Sequence, residues 1–145
     1  MQRYLLDTNH LSKASDPNGT VARRIVTAQL DGHQVGICLP VLCELEAGMR
    51  FVSRPLPYRQ SLDQLLKRVR VWPMDVPTAK LYGDLFAELR SKGRVLSSVD
   101  MMIAALARQF DCIVLTADRD FDAVSDLIIE NWLIDPPENK GPAFQ

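Results

Sequence analysis

The polarity pattern divides the chain into short apolar runs, each followed by a stretch of helical period. Arg3-Tyr4-Leu5-Leu6 is closed by Asp7-Thr8-Asn9 and reads as a strand entering a helix capped by Thr8 or Asn9. After the turn Asp16-Pro17-Asn18-Gly19, the recurrence of Val21, Ile25 and Ala28 predicts a helix from Thr20 to Leu30, stopped by Asp31-Gly32. Val35 to Leu39 predicts a second strand. Pro40 suits the first turn of a helix over Val41 to Phe51, and another helix follows Pro57 through Leu62, Leu65 and Leu66. A third strand, Val69 to Trp72, ends at Pro73.

Leu81, Tyr82, Leu85, Phe86 and Leu89 define an amphipathic helix from Thr78 to Lys92, with Gly93 as its stop. Ser98 to Gln109 is also helical, but its near-continuous apolar run leaves almost no polar face, so it is expected to be buried. Cys112 to Leu115 predicts a fourth strand, a short helix follows Asp120, and a fifth strand lies near Leu127 to Ile129. Residues 1–135 form one domain in this reading, and 136–145 a loosely ordered tail. Strands alternating with helices predict a three-layer α/β/α sandwich with a short, mostly parallel central sheet. Ligands of such sheets bind beyond the carboxyl ends of the strands, where Asp7 and Asp118 stand.

Composition agrees with a single globular domain: 145 residues, 47% apolar and 24% charged, with a net charge of -1. This excludes global disorder. No uncharged apolar run approaches the roughly 18 residues of a membrane span, and Asp7 comes too early for a signal peptide, so a cytoplasmic protein is expected. Cys38, Cys43 and Cys112 lack metal-site spacing and read as reduced thiols packed among apolar residues. The near-neutral total hides two poles. Arg50 to Arg70 carries a balance of +5, and Asp118 to the end carries -5. Solvated helix faces are the ordinary account of such runs, but together they are also suited to hold a phosphate polymer against bound cations. Arg50, Arg54 and Arg59 are the backbone-contact candidates.

Several acids invite closer reading. Asp7 and Asp118 are each, singly, ordinary helix caps or turn formers. Asp100 is the only charge between Ser97 and Ala107, and a lone buried carboxylate must be neutralised, paired or bound to metal. The competing account is the capping box Ser97-Ser98-Val99-Asp100, and the two are compatible. Glu46 has Arg50 one turn later, whereas Glu44 has only Ala47 and Gly48 there, which makes Glu44 the better site candidate. Four converging acids repel unless hard cations sit between them, and carboxylate oxygens are what Mg²⁺ or Mn²⁺ prefers.

In order along the chain, LLDTN at 5 to 9, LCELEAG at 42 to 48, SSVDMMIAALA at 97 to 107 and TADRDF at 116 to 121 closely resemble the PIN-domain ribonucleases, in particular VapC-type toxins of bacterial toxin-antitoxin pairs. The resemblance runs from the start to about residue 125. It implies that Asp7, Glu44, Asp100 and Asp118 are the catalytic acids, with Asp7, Asp100 and Asp118 as metal ligands. Asp120 would be an auxiliary carboxylate or the cap of the next helix, close enough to exchange roles with Asp118, and Thr8, Asn9 and Thr116 would support them. It further implies Mg²⁺- or Mn²⁺-dependent RNA cleavage leaving a 5′-phosphate and a 3′-hydroxyl, a homodimer, and inhibition by a cognate antitoxin.

Rival chemistries have weaker support. A histidine pair has only His10 and His33 to draw on, with His33 in a turn and His10 facing the groove or, more simply, solvent. An aspartyl-nucleophile hydrolase would use Asp7, but Asn9 stands where its common form has a second Asp. A phosphoacceptor receiver lacks the Asp it needs after Val69 to Trp72. The non-enzymatic rival is a metal- or RNA-binding regulator on the same fold.

Overall fold

In the computed structural model, which describes residues 1–136, strand β1 (Arg3–Leu6) occupies the middle of the sheet. Tyr4, Leu5 and Leu6 are all buried, because a central parallel strand covered by helices has no solvent side. The chain continues through α1 (Thr8–Ala14), α2 (Thr20–Leu30), β2 (Gln34–Cys38), α3 (Leu39–Met49), α4 (Pro55–Leu66) and β3 (Arg70–Trp72). It returns through α5 (Val76–Ser91) and α6 (Ser98–Phe110) to β4 (Cys112–Leu115), a 3-10 turn (Arg119–Ala123) and β5 (Ile129–Glu130). The five strands are all parallel in the order β3-β2-β1-β4-β5. Parallel neighbours require crossovers, and the right-handed rule sends the β1–β3 helices to one face and α5–α6 to the other. The expected α/β/α sandwich is the fold found.

The observed boundaries differ from the pattern where capping chemistry overrides periodicity. Helix α3 starts at Leu39 with Pro40 in its first turn, and α4 starts at Pro55 rather than beyond Pro57. Helix α5 begins at Val76, because Asp75 and Thr78 form a reciprocal capping box. Strand β5 falls on Ile129–Glu130, later than Leu127. Cys38 and Cys112 are buried, but Cys43 is exposed, since α3 turns its core stripe of Val41, Leu45 and Met49 the other way. Residues 137–145 of the expected loose tail lie outside the described residues.

Two local features tighten the frame. A Cβ added to Gly36 in β2 would lie 2.7 Å from the Trp72 ring and 2.8 Å from the Arg70 carbonyl, so only glycine lets the Trp72 ring pack there. Gly93 has φ +66 and ends α5, as its position predicts, with the Arg94 N–H donating to the Leu89 carbonyl at 2.9 Å. Helix α6 buries Met101, Ile103, Ala104, Ala105, Leu106 and Ala107 and touches β1, β2 and β4. Its N-terminal turn carries Asp100.

Candidate active site

The order β3-β2-β1-β4-β5 places a reversal between β1 and β4: the chain builds outward from β1 in one direction, then resumes on its other side. Strand ends at such a reversal splay their following loops apart and open a crevice. Leu6 pairs with Leu115, and the Asp7 N–H still donates to the Leu115 carbonyl at 3.1 Å, so Asp7 leaves the sheet beside Thr116.

Asp7, not Thr8 or Asn9, caps α1. Its Oδ1 accepts the His10 main-chain N–H at 2.7 Å and lies 3.1 Å from His10 Nδ1. The carboxylate therefore caps a helix at the strand exit beside the reversal of the sheet. Burial opposes its ionisation, yet hydrogen bonds from the His10 ring, Thr116 and the His10 main chain outweigh that cost and hold its pKa below the ordinary carboxylate value. Glu44 is exposed on α3, and its Oε1 accepts the Thr8 hydroxyl at 2.8 Å, which ties α3 to the residue after Asp7.

Asp118 is exposed and caps the 3-10 turn by accepting the Asp120 N–H at 2.8 Å, while its own N–H donates to Thr116 Oγ1 at 3.0 Å. The cap role thus belongs to Asp118, not Asp120. Ser97 caps α6 by accepting the Asp100 N–H at 3.1 Å, which leaves Asp100 half-buried in the first turn. Burial first, opposed by a hydrogen bond with Ser97, and then the negative charges of Asp118, Asp7 and Glu44 push the Asp100 carboxyl above its usual range. Acids just after β1, on α3 and in the loop after β4 therefore act on one carboxyl of α6.

Carboxylate oxygens are hard donors, and their mutual repulsion is what a divalent cation relieves. Among the described residues, no three Asp, Glu, His or Cys side chains are grouped closely enough to enclose one ion. Mg²⁺ holds several of its own waters and uses one or two carboxylates together with substrate phosphate oxygens. The donor set therefore suits a hydrated ion with few direct protein contacts, not an all-protein cage.

A family model described as PIN domain matches residues 4–127. The chain belongs to the PIN domain family. This PIN domain is 26% identical over 130 residues to "Ribonuclease VapC2" of Rickettsia felis, covering 89% of this chain and 97% of that protein. It is 28% identical over 134 residues to "tRNA(fMet)-specific endonuclease VapC" of Shigella flexneri, covering 91% and 99%. Its fold is similar to a crystal structure of VapBC2 from Rickettsia felis bound to a promoter DNA fragment, with TM-score 0.81, 25% identity, and coverage of 90% of this chain and 99% of that one. These likenesses place it among VapC-type PIN domains.

Two sequence expectations about this PIN domain need correction. His10 does not face solvent: it has no exposure, and its Nε2 accepts the Trp132 main-chain N–H at 3.0 Å. A lone His followed by Leu11 and Ser12 gave no local signal of this, because the second partner lies 122 residues away. Arg59 is not a free cation: it forms a two-point pair with Glu46 and sits 3.7 Å from Asp63, while Arg50 reaches Glu46 only at 4.0 Å. Arg50 and Arg54 remain exposed at the α3–α4 connection. Asn9 is exposed and makes no side-chain hydrogen bond among the described residues, whereas Thr8 and Thr116 do.

Proposed function

We propose that this PIN domain is a divalent-metal-dependent endoribonuclease and the toxin of a toxin-antitoxin pair. The observation that carries the proposal is the convergence of Asp7, Glu44, Asp100 and Asp118, from four separate elements, on the reversal point of a parallel sheet. The names of its relatives support RNA as the substrate class, and the likeness to the solved VapBC2 structure supports an antitoxin partner.

Asp7, Asp100 and Asp118 would hold the hydrated ion, Mg²⁺ or Mn²⁺, in part through its own waters, with Glu44 completing the acidic wall. When bound, the ion supplies a water acidic enough to act as nucleophile near neutral pH and offsets charge on the phosphate oxygens. Asp7 contributes a carboxylate kept ionised by His10 and Thr116, and both His10 contacts fall on Oδ1, leaving Oδ2 free of His10. Thr8 holds Glu44, and Thr116 holds the loop that bears Asp118. The reaction adds water across one linkage: a water oxygen bonds to phosphorus, the bond to O3′ breaks, and the products carry a 5′-phosphate and a 3′-hydroxyl. Neither histidine takes part as acid or base in this reading: His10 is fully buried, and His33 precedes β2 at the amino-terminal edge of the sheet, opposite the acids.

The fold's positive pole, Arg50 and Arg54, is the proposed backbone contact, and a homodimer acting in the cytoplasm is the proposed working form. Among the described residues, no helix is long and apolar enough to cross a membrane. The test is cleavage of RNA by the purified chain, free of any partner, with Mg²⁺ or Mn²⁺. Chelation, Asp7→Asn and Asp100→Asn are each expected to stop it. Cleavage that persists in the Asp7→Asn protein would discard the metal mechanism.

A further inference from the structure

The structure assigns His10 as a positioning residue that locks the Asp7 carboxylate and is itself locked by the segment following β5. This rests on the reading of Asp7 as a catalytic acid. A main-chain N–H can only donate, so Trp132 bonding to Nε2 requires a lone pair there, and the ring proton must sit on Nδ1. Nδ1–H then donates to Asp7 Oδ1, which also takes the His10 N–H, so two donors fix one carboxylate oxygen. With the ring fully buried, water does not compete for either bond.

What holds the far side is specific. The buried Trp132 ring packs on Tyr4 of β1, with centroids 4.7 Å apart, and the Arg24 guanidinium lies 5.0 Å above it. Arg24 Nη1 donates to the Ile134 carbonyl at 2.9 Å and to the Asn131 carbonyl at 3.4 Å, and Trp132 Nε1 donates to Glu130 Oε1 at 3.1 Å. A continuous chain of contacts therefore runs from α2 through the 131–134 strap and the imidazole to Asp7. Partners one step behind a metal-binding side chain commonly change affinity or activity about 10- to 100-fold when removed.

The test compares His10→Ala, His10→Asn and Arg24→Ala in the full chain. Asn places an N–H close to the position of Nδ1 but cannot reach Trp132, so it restores the bond to Asp7 alone. We expect His10→Ala to lower kcat about 10- to 100-fold at saturating Mn²⁺ with KM for an RNA oligonucleotide unchanged, and His10→Asn to recover most of that loss. Arg24→Ala, remote from the acids, is expected to lower kcat in the same direction. Independently of activity, ring ¹⁵N shifts of the metal-free wild type should show protonated Nδ1 and unprotonated Nε2, and Arg24→Ala should disturb them. Equal losses in His10→Ala and His10→Asn that follow only their thermal destabilisation would overturn the assignment, as would the opposite tautomer. A wild type that shows the expected tautomer but cleaves no RNA would sink the nuclease reading and leave the lock on Asp7 standing.

Discussion

Asp7 and Asp100 belong to one cluster, yet neutralising them should change the stability of the metal-free protein in opposite directions. Asp7 accepts two hydrogen bonds on Oδ1, at 2.7 and 3.1 Å, and its pKa is held below the ordinary value. Bonds to a charged acceptor are worth about 1.5–3 kcal/mol against about 0.5–1.5 kcal/mol for neutral ones, so Asp7→Asn, partly offset by relief of burial, should cost about 1–2 kcal/mol. Asp100 is raised by burial and by three neighbouring acids. Removing an unfavourable charge commonly returns about 0.5–2 kcal/mol, less about 0.3–1 kcal/mol for its favourable place in the first turn of α6, leaving a net gain of about 0.5 kcal/mol for Asp100→Asn. At about 2–4 °C per kcal/mol for a chain near this size, the Tm values should separate by roughly 3–10 °C, with wild type between them.

The pH dependence follows from the direction of each shift. A lowered Asp7 stabilises above its unfolded pKa, and that contribution fades as pH falls through the folded value. A raised Asp100 destabilises above its folded pKa, and that penalty disappears below the unfolded one. Both differences from wild type should therefore shrink in acid, from opposite sides. Thermal melts in chelator at neutral and acid pH test this. Shifts of the same sign for both variants at neutral pH would refute the picture of one supported and one crowded carboxylate.

The same packing and charge pattern sets other outcomes. On the proposed function, Mg²⁺ or Mn²⁺ should raise Tm only at concentrations well above those that saturate a caged site, because few protein ligands would touch the ion, and Asp100→Asn should reduce the shift; scanning calorimetry across a metal titration measures it. Gly36→Ala should cost about 1–3 kcal/mol in denaturant unfolding, since the new Cβ meets both the Trp72 ring and a carbonyl; a cost below about 0.5 kcal/mol would contradict the packing. Arg50→Ala with Arg54→Ala should weaken binding of RNA and flatten its salt dependence. Arg59→Ala should instead act chiefly on stability by releasing Glu46, leaving the salt slope nearly intact; filter binding over a salt series separates the two.

Local chemistry alone carried much of this protein. Short apolar runs marked β1 and β4, helical spacing marked α2 and α5, and Gly93 stopped α5 where its left-handed backbone is needed, because each signal lies within a few consecutive residues. The four candidate acids drew notice for a related reason: Asp7 and Asp118 sit at strand exits, Asp100 stands alone in an apolar helix, and Glu44 lacks a cation one turn away. Tertiary structure decided everything that depends on partners distant in the chain. It paired Arg59 with Glu46 and left Arg50 outside, turned Cys43 to solvent, and buried His10 between Asp7 and Trp132. Side-chain type and spacing specify what a residue can bond to. Which partner it meets is set by helix rotation and strand order, and those are properties of the packed whole.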